Sequence, residues 1–108
     1  MVETLREKQT RFMRMTGLLF QYIDLQPGWS ATYGEAYRVK ARADTHPNSN
    51  HHRRLAIDIN LFIDGAYQSS SDAHQPLGAF WELLATDAVW GGHFGDGNHY
   101  SLLFEGQK

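Results

Sequence analysis

Histidine and carboxylate side chains are the groups in this 108-residue sequence that could hold a metal ion, because it contains six histidines and twelve acidic residues but no cysteine. The lack of cysteine excludes thiolate zinc sites and thiol nucleophiles. Any metal must therefore be bound by imidazole nitrogen and carboxylate oxygen. We predict that His46, His52 and His74 are ordinary surface side chains. His51 and His99 differ, because each lies near an acidic residue in a segment that could form a site.

Two segments carry motifs of a known enzyme family. Residues 49–58 (SNHHRRLAID) resemble the pattern S-x-H-x-x-G-x-A-x-D of the zinc D-alanyl-D-alanine carboxypeptidase and L-alanyl-D-glutamate peptidase family, and four of its five fixed positions match. Residues 90–100 (WGGHFGDGNHY) are similar to the W-G-G…D-x-x-H-[FY] segment of the phage endolysin members. In looser form the resemblance extends over residues 9–104 and includes residues 34–38 (GEAYR). The departure is Arg54 in place of glycine, which bears on the local backbone because arginine adopts some conformations less easily.

The resemblance implies a role for each matching residue. His51, Asp58 and His99 would bind Zn²⁺, Asp96 would be the general base, and Arg38 would stabilise a carbonyl oxygen or a carboxylate of the substrate. These residue types suit the chemistry, because zinc hydrolases commonly use three nitrogen or oxygen ligands and leave one position for a water whose pKa falls to about 7. A carboxylate that does not bind the metal can then take the proton of that water and pass it to the leaving amine.

Other residues of the two motifs are predicted to contact the substrate, namely Ser49, His93 and Tyr100. For Tyr100 a role in orienting a metal ligand through a hydrogen bond stays open. An alternative ligand pair of His93 and His99 is less favoured, because the family pattern is variable at position 93.

Both motifs must bend if the implied ligands are to meet. Seven residues of extended strand span roughly 23 Å, whereas zinc ligands lie about 2 Å from the ion, so the chain has to turn back between His51 and Asp58. Asp96 and His99 are three residues apart and would face opposite sides of a flat strand. Gly95 and Gly97 allow the bend that brings them to one side.

The elements that position these residues follow from hydrophobic periodicity and turn signals. A capping box at Thr4 and Glu7 and an apolar stripe predict a helix over residues 5–22. An irregular strand over residues 29–38 and a polar loop over residues 39–53 follow. Strict alternation predicts a strand over residues 55–62, with its aliphatic row on one face and Asp58 on the other.

The second half of the chain begins with a predicted hairpin. Asp64 and Gly65 are a hairpin signal that pairs the preceding strand with residues 66–69. A second helix is predicted over residues 74–85, followed by a glycine-rich stretch and a strand from His99. This order predicts a small α+β domain with an antiparallel sheet flanked by helices. The family resemblance implies a hedgehog/DD-peptidase-like fold, with residues 1–108 as one zinc peptidase domain.

Charge and hydropathy exclude several partners. Ten basic residues against twelve acidic ones give a net charge of −2, which does not favour nucleic acid. No apolar run approaches the roughly 20 residues of a membrane span, and charges at Glu3, Arg6, Glu7 and Lys8 do not fit a signal peptide. We therefore expect a chain that neither spans a membrane nor carries a signal peptide. For an enzyme that resembles phage endolysins, this implies a monomer in the cytoplasm of the host bacterium that reaches the cell wall when the cell lyses.

The leading hypothesis is a zinc-dependent peptidase that hydrolyses an amide bond in the peptide stem of bacterial peptidoglycan. The resemblance implies a phage or prophage endolysin of the L-alanyl-D-glutamate endopeptidase or the D-Ala-D-Ala carboxypeptidase type, with a cell-wall peptide as substrate. One alternative is a non-catalytic domain of the same fold that keeps a vestigial metal site and binds a peptide or a protein. Another is a metal-free structural protein in which the histidines are incidental.

Overall fold

The architecture is a four-stranded antiparallel sheet with a short added strand and two α-helices, seen in a computed structural model that describes residues 2–35 and 53–108. In chain order the elements are α1 (Leu5–Leu25), β1 (Trp29–Tyr33), β2 (Ala56–Ile63), β3 (Ala66–Tyr67), a first 3₁₀ helix (Ser71–His74), α2 (Gln75–Leu84), β4 (Ala88–Trp90), a second 3₁₀ helix (Gly91–Phe94) and β5 (His99–Leu102). The strands are ordered β1-β2-β5-β4, and β3 pairs with β2. The predicted loop 39–53 lies outside the described residues except for Arg53.

Helix α1 begins at the predicted capping box and ends later than predicted. The Thr4 hydroxyl accepts a hydrogen bond from the Glu7 amide (3.1 Å), and the Glu7 carboxylate accepts one from the Thr4 amide (2.8 Å). The helix continues to Leu25 because Ile23 extends the buried stripe by one more turn. It ends just before Pro27, which cannot continue a helix at this point.

Strand β2 is the central strand and confirms the predicted alternation. Ile57, Ile59 and Leu61 are buried, whereas Asp58 and Asn60 between them are partly exposed. β1 pairs with β2 along one edge and β5 along the other. The strand thus holds the Asp58 carboxylate on the face opposite the aliphatic core, at the place where three strands meet.

The core lies between this sheet and the two helices. The indole N–H of Trp81 on α2 donates to the main-chain oxygen of Ser101 on β5 (3.0 Å), and its ring packs edge-on against Phe12 and Tyr100. The large aliphatic side chains that are fully buried in the described chain are Leu19, Leu55, Ile59, Leu61, Leu77 and Leu102. These contacts fix β5, and with it His99, relative to α2.

His74 is not the surface residue that the sequence predicts. It lies at the end of the first 3₁₀ helix, is 2% exposed, and its Nδ1 is 2.8 Å from the Tyr100 hydroxyl. Burial lowers the pKa of His74, although a main-chain hydrogen bond to Gln68 acts in the opposite direction. The prediction was wrong because no local periodicity signals the 3₁₀ turn that carries this ring inward. The predicted helix 74–85 is correspondingly shorter, at Gln75–Leu84.

The burial of His74 predicts how stability depends on pH. The pKa of His74 is lower in the folded chain than in the unfolded chain, so below about pH 6.5 the unfolded chain binds a proton that the folded chain does not. The contribution of His74 is therefore present above about pH 6.5 and is lost as the pH falls toward the folded pKa. Chemical denaturation at pH 7.5 and 5.5 should show a larger loss of stability in the wild type than in His74→Gln. Equal losses would contradict this assignment.

Candidate metal centre

Asp58 and His99 face each other across two neighbouring strands. They are direct partners in the antiparallel register of β2 and β5. Nδ1 of His99 lies 3.5 Å from Oδ1 of Asp58. The main chain of Asp58 is also held on its other side, because Gly34 donates to its oxygen (2.8 Å) and its own amide donates to Glu35 (2.6 Å). The position of this carboxylate is therefore set by strand pairing on both edges of β2.

Asp96 reaches the same place through the bend that the sequence predicts. Its amide donates to the Gly91 oxygen (2.8 Å), and its own main-chain oxygen accepts from the His99 amide (3.1 Å). Gly91 has no room for a side chain, because a Cβ there would lie 2.1 Å from the Asp96 oxygen and 2.7 Å from the His99 Cβ. The first glycine after Trp90 thus allows the turn to close against β5.

The three side chains form one group of metal-type donors. One ligand atom from each of Asp58, Asp96 and His99 lies within 4.8 Å of the others. Two ligand atoms that each lie about 2.0–2.1 Å from a tetrahedral ion are about 3.3 Å from each other. The 3.5 Å between Asp58 Oδ1 and His99 Nδ1 is close to that separation and is longer than a usual N–H···O hydrogen bond. Two carboxylates and an imidazole are donors that zinc accepts. These residues therefore fit a divalent metal.

The imidazole of His99 is oriented so that Nδ1 faces the group. Nε2 is 2.8 Å from the main-chain oxygen of Lys108, which can only accept, so Nε2 carries the proton of that hydrogen bond. Burial acts to lower the pKa of His99, but the contact with Asp58, the Lys108 oxygen and the charges of Asp58 and Asp96 outweigh it and raise that pKa. The carboxylates thus attract positive charge to this position, as they would a metal ion.

A small polar cavity opens beside Asp96. It has a volume of about 150 Å³. Hydroxyl, amide and imidazole groups line it together with Asp96, from Gln68, Ser69, Ser70, Ser71, His74 and Asn98. The Ser71 hydroxyl accepts a hydrogen bond from the Gly97 amide (3.0 Å) and so joins the two walls. The cavity provides space for a polar group next to the metal-type donors.

The structure brings part of the predicted site together. Asp58, Asp96 and His99 lie side by side, as the two motifs imply. Arg38, Ser49 and His51 lie outside the described residues.

His93 and Tyr100 lie outside the donor group formed by the described residues. His93 is on the surface, with Nε2 2.8 Å from a Glu82 carboxylate oxygen, and among the described residues the donor group does not include it. Within the described residues His93 thus pairs with Glu82, whereas His99 belongs to the donor group. Tyr100 is fully buried, and its hydroxyl contacts His74 rather than the surface of the site. Burial raises the pKa of the Tyr100 phenol.

Sequence reasoning missed the residues that support the site from a distance. Glu82 accepts hydrogen bonds from the Trp90 amide (3.1 Å) and His93. The Ser71 hydroxyl accepts from the Gly97 amide, and the Lys108 oxygen accepts from His99. No motif marks these residues, because each contact joins two different structural elements.

Arg54 adopts the conformation that the missing glycine of the motif would favour. Its φ is +55°, in the left-handed region, and Arg53 does not share it. The left-handed region costs a residue with a side chain about 1–2 kcal/mol of free energy. Glycine avoids this cost, but it loses more backbone entropy on folding, and that loss offsets part of its advantage. Arg54 thus occupies, at a cost in free energy, a conformation that glycine adopts freely.

We expect Arg54→Gly to stabilise the chain by roughly 0.5–1 kcal/mol, a rise of a few degrees in melting temperature. The measurement is thermal unfolding of the metal-free protein. Arg53→Gly is the matched control, and it should destabilise the chain because the Arg53 guanidinium lies 5.1 Å from the centroid of the Phe104 ring. A lower melting temperature for Arg54→Gly would show that side-chain contacts of Arg54 outweigh its backbone strain.

The elements and the donor group together define an α+β fold that places two carboxylates and a histidine where β2, β5 and a glycine-rich turn meet. A comparison with solved structures finds the crystal structure of Serratia marcescens L-Ala D-Glu endopeptidase ChiX, with a TM-score of 0.71 and 21% sequence identity over 94% of this chain and 85% of that chain. The likeness confirms the predicted fold class. A scan of family models and a search of curated protein sequences give no match.

None of the described helices is both long enough and apolar enough to cross a membrane.

Proposed function

We propose that this chain is a zinc-dependent peptidase that hydrolyses an amide bond in the peptide stem of bacterial peptidoglycan. The observation that carries the proposal is the group of Asp58, Asp96 and His99. It is supported by a fold shared with an L-Ala D-Glu endopeptidase. The two motifs add His51 and Arg38, and the resemblance of residues 90–100 to phage endolysins favours a lytic enzyme of phage or prophage type.

In this proposal Asp58 and His99 hold the metal together with His51. Zinc bound there would supply a Lewis acid and lower the pKa of water to about 7. Strand pairing fixes Asp58, and the Lys108 oxygen fixes the ring of His99, so two ligands are held before any metal arrives. Such preorganisation lowers the cost of ordering the ligands on binding.

Asp96 has the features of a general base. It is exposed, it lies in a turn rather than in a strand, and its ligand atom is within 4.8 Å of those of Asp58 and His99. From there its carboxylate would take a proton from the attacking water and deliver it to the nitrogen of the leaving amine. Arg38 would stabilise the negative charge that develops on the carbonyl oxygen.

The polar cavity next to Asp96 suits part of a peptide stem. Its hydroxyl and amide groups offer hydrogen bonds to amide N–H and C=O groups, and its lining within residues 2–35 and 53–108 includes no lysine or arginine. A stem peptide exposes many such groups in a short length. The cavity therefore supports a peptide substrate.

Of the two types that the motifs leave open, we propose an L-alanyl-D-glutamate endopeptidase in preference to a D-Ala-D-Ala carboxypeptidase. The reason is that the solved structure with the same fold is an endopeptidase.

Mass spectrometry of purified peptidoglycan after incubation with the protein tests this function. Incubations with zinc and with a chelator should differ, and the new termini in the zinc sample identify the bond that is cleaved. The expected result is two complementary products, one that ends in L-Ala and one that begins with D-Glu. Zinc binding without fragments from several wall chemistries would favour the non-catalytic alternative, and absence of both would overturn the metal centre as well.

A further inference from the structure

Two buried donors of β5 converge on one main-chain oxygen. Nε2 of His99 lies 2.8 Å from the oxygen of Lys108, and the Ser101 hydroxyl donates to the same oxygen at 2.6 Å. Both donors are buried. They are two residues apart on β5 and therefore point to the same side of the strand. A main-chain oxygen has at least two lone pairs, so both hydrogen bonds can form at once.

The oxygen reaches this position through a tight turn, which we call the tail hairpin (residues 104–107). Phe104 and Gln107 exchange both main-chain hydrogen bonds, at 3.0 and 2.8 Å. Glu105 and Gly106 have φ values of +48° and +79°, the signature of a type I′ turn. Phe104 anchors the hairpin, because Lys8 Nζ lies 5.5 Å from the centroid of its ring and donates to the oxygen of the preceding residue (2.6 Å).

A histidine that binds a metal through one ring nitrogen usually donates from the other to a fixed acceptor. The acceptor selects the tautomer and the ring orientation. Here the acceptor is Lys108, and the nitrogen left for the metal is Nδ1, which faces Asp58 at 3.5 Å. Loss of that acceptor would remove the hydrogen bond that sets the tautomer and the orientation of the buried ring.

We propose that the tail hairpin is a positioning element of the metal centre, which delivers the Lys108 oxygen to Nε2 of His99 and so directs Nδ1 toward the metal. This inference rests on the proposed function, because it requires that the centre bind zinc. It adds a part of the chain that lies beyond both motifs. Residues 104–108 then act on the metal through His99 and not by direct contact.

The test is the zinc affinity of Gly106→Val, measured by competition with a chromophoric chelator. Valine strains a position with φ of +79°, and no atom lies within 4 Å of its Cβ, so the change acts on the turn alone. The matched control is Gly65→Val in the hairpin at the far end of β2, where Asp64 and Gly65 have nearly the same φ values of +50° and +81° and the Cβ site is equally open. Glu105→Asn retains the turn, since Asn-Gly is favoured in type I′ turns.

We expect Gly106→Val to weaken zinc binding about 10–100-fold, as removal of an outer partner of a metal-bound histidine does, with Gly65→Val and Glu105→Asn close to wild type. Unchanged affinity in Gly106→Val, or equal weakening in both valine variants, overturns the inference alone. Failure of the wild type to bind zinc overturns the proposed function and the inference with it.

A measurement on the wild-type chain keeps the inference testable if Gly106→Val does not fold. Nitrogen-15 NMR of the zinc-loaded protein should show the His99 ring with its proton on Nε2 and the metal on Nδ1. A proton on Nδ1, or a metal-bound Nε2, would overturn it.

Discussion

Replacement of Asp96 by asparagine is expected to reduce the hydrolysis of a stem peptide by about 10²–10⁴-fold while zinc stays bound. The amide has nearly the shape of the carboxylate but cannot accept the proton of the attacking water. The measurement is kcat/KM on a synthetic stem peptide, together with zinc affinity by chelator competition. A loss confined to kcat/KM identifies a group that acts on the reacting atoms and not on the metal.

The control for this variant is Asp72→Asn, which removes an exposed carboxylate from the neighbouring 3₁₀ helix outside the donor group. It should leave activity and zinc affinity near wild type. If Asp96→Asn weakens zinc as much as a ligand variant does, Asp96 is a metal ligand and not the base. Retention of full activity would remove Asp96 from the chemistry altogether.

Replacement of Asp58 by alanine is expected to abolish both zinc binding at micromolar metal and hydrolysis. Removal of a direct ligand should weaken the metal by more than the roughly 10–100-fold that outer partners contribute. The same change removes the carboxylate whose hydrogen bond and charge raise the pKa of His99, so that pKa will fall. Zinc competition and NMR titration of the His99 ring measure the two effects separately.

Asn60→Ala is the matched control on the same strand. Asn60 lies on the same face of β2 as Asp58, but its amide contacts the Thr32 hydroxyl at 3.3 Å and is not in the donor group. This variant should bind zinc and cleave peptide like the wild type. Persistence of chelator-sensitive hydrolysis in Asp58→Ala would contradict the metal centre.

Local patterns predicted the elements that have a strong period or a specific start. β2 follows its alternation closely, and α1 begins at the capping box formed by Thr4 and Glu7. The hairpin at Asp64 and Gly65 forms as predicted, although β3 is only Ala66–Tyr67. The patterns failed at His74, because a 3₁₀ turn has no apolar period and tertiary packing alone buries the ring.

The sequence by itself determined the types of residue available for chemistry and their order along the chain. It also predicted the bend between Asp96 and His99, since glycines flank Asp96 and a flat strand could not bring the two together.

Only the tertiary structure decided which of these residues meet. Asp58 faces His99 because of the register between β2 and β5, and a shift of one residue would turn one of them to the other face. The support of His99 by Lys108 comes from a main-chain oxygen. Every residue carries such an oxygen, so no residue type can signal this contact, and only the path of the folded chain determines where it lies.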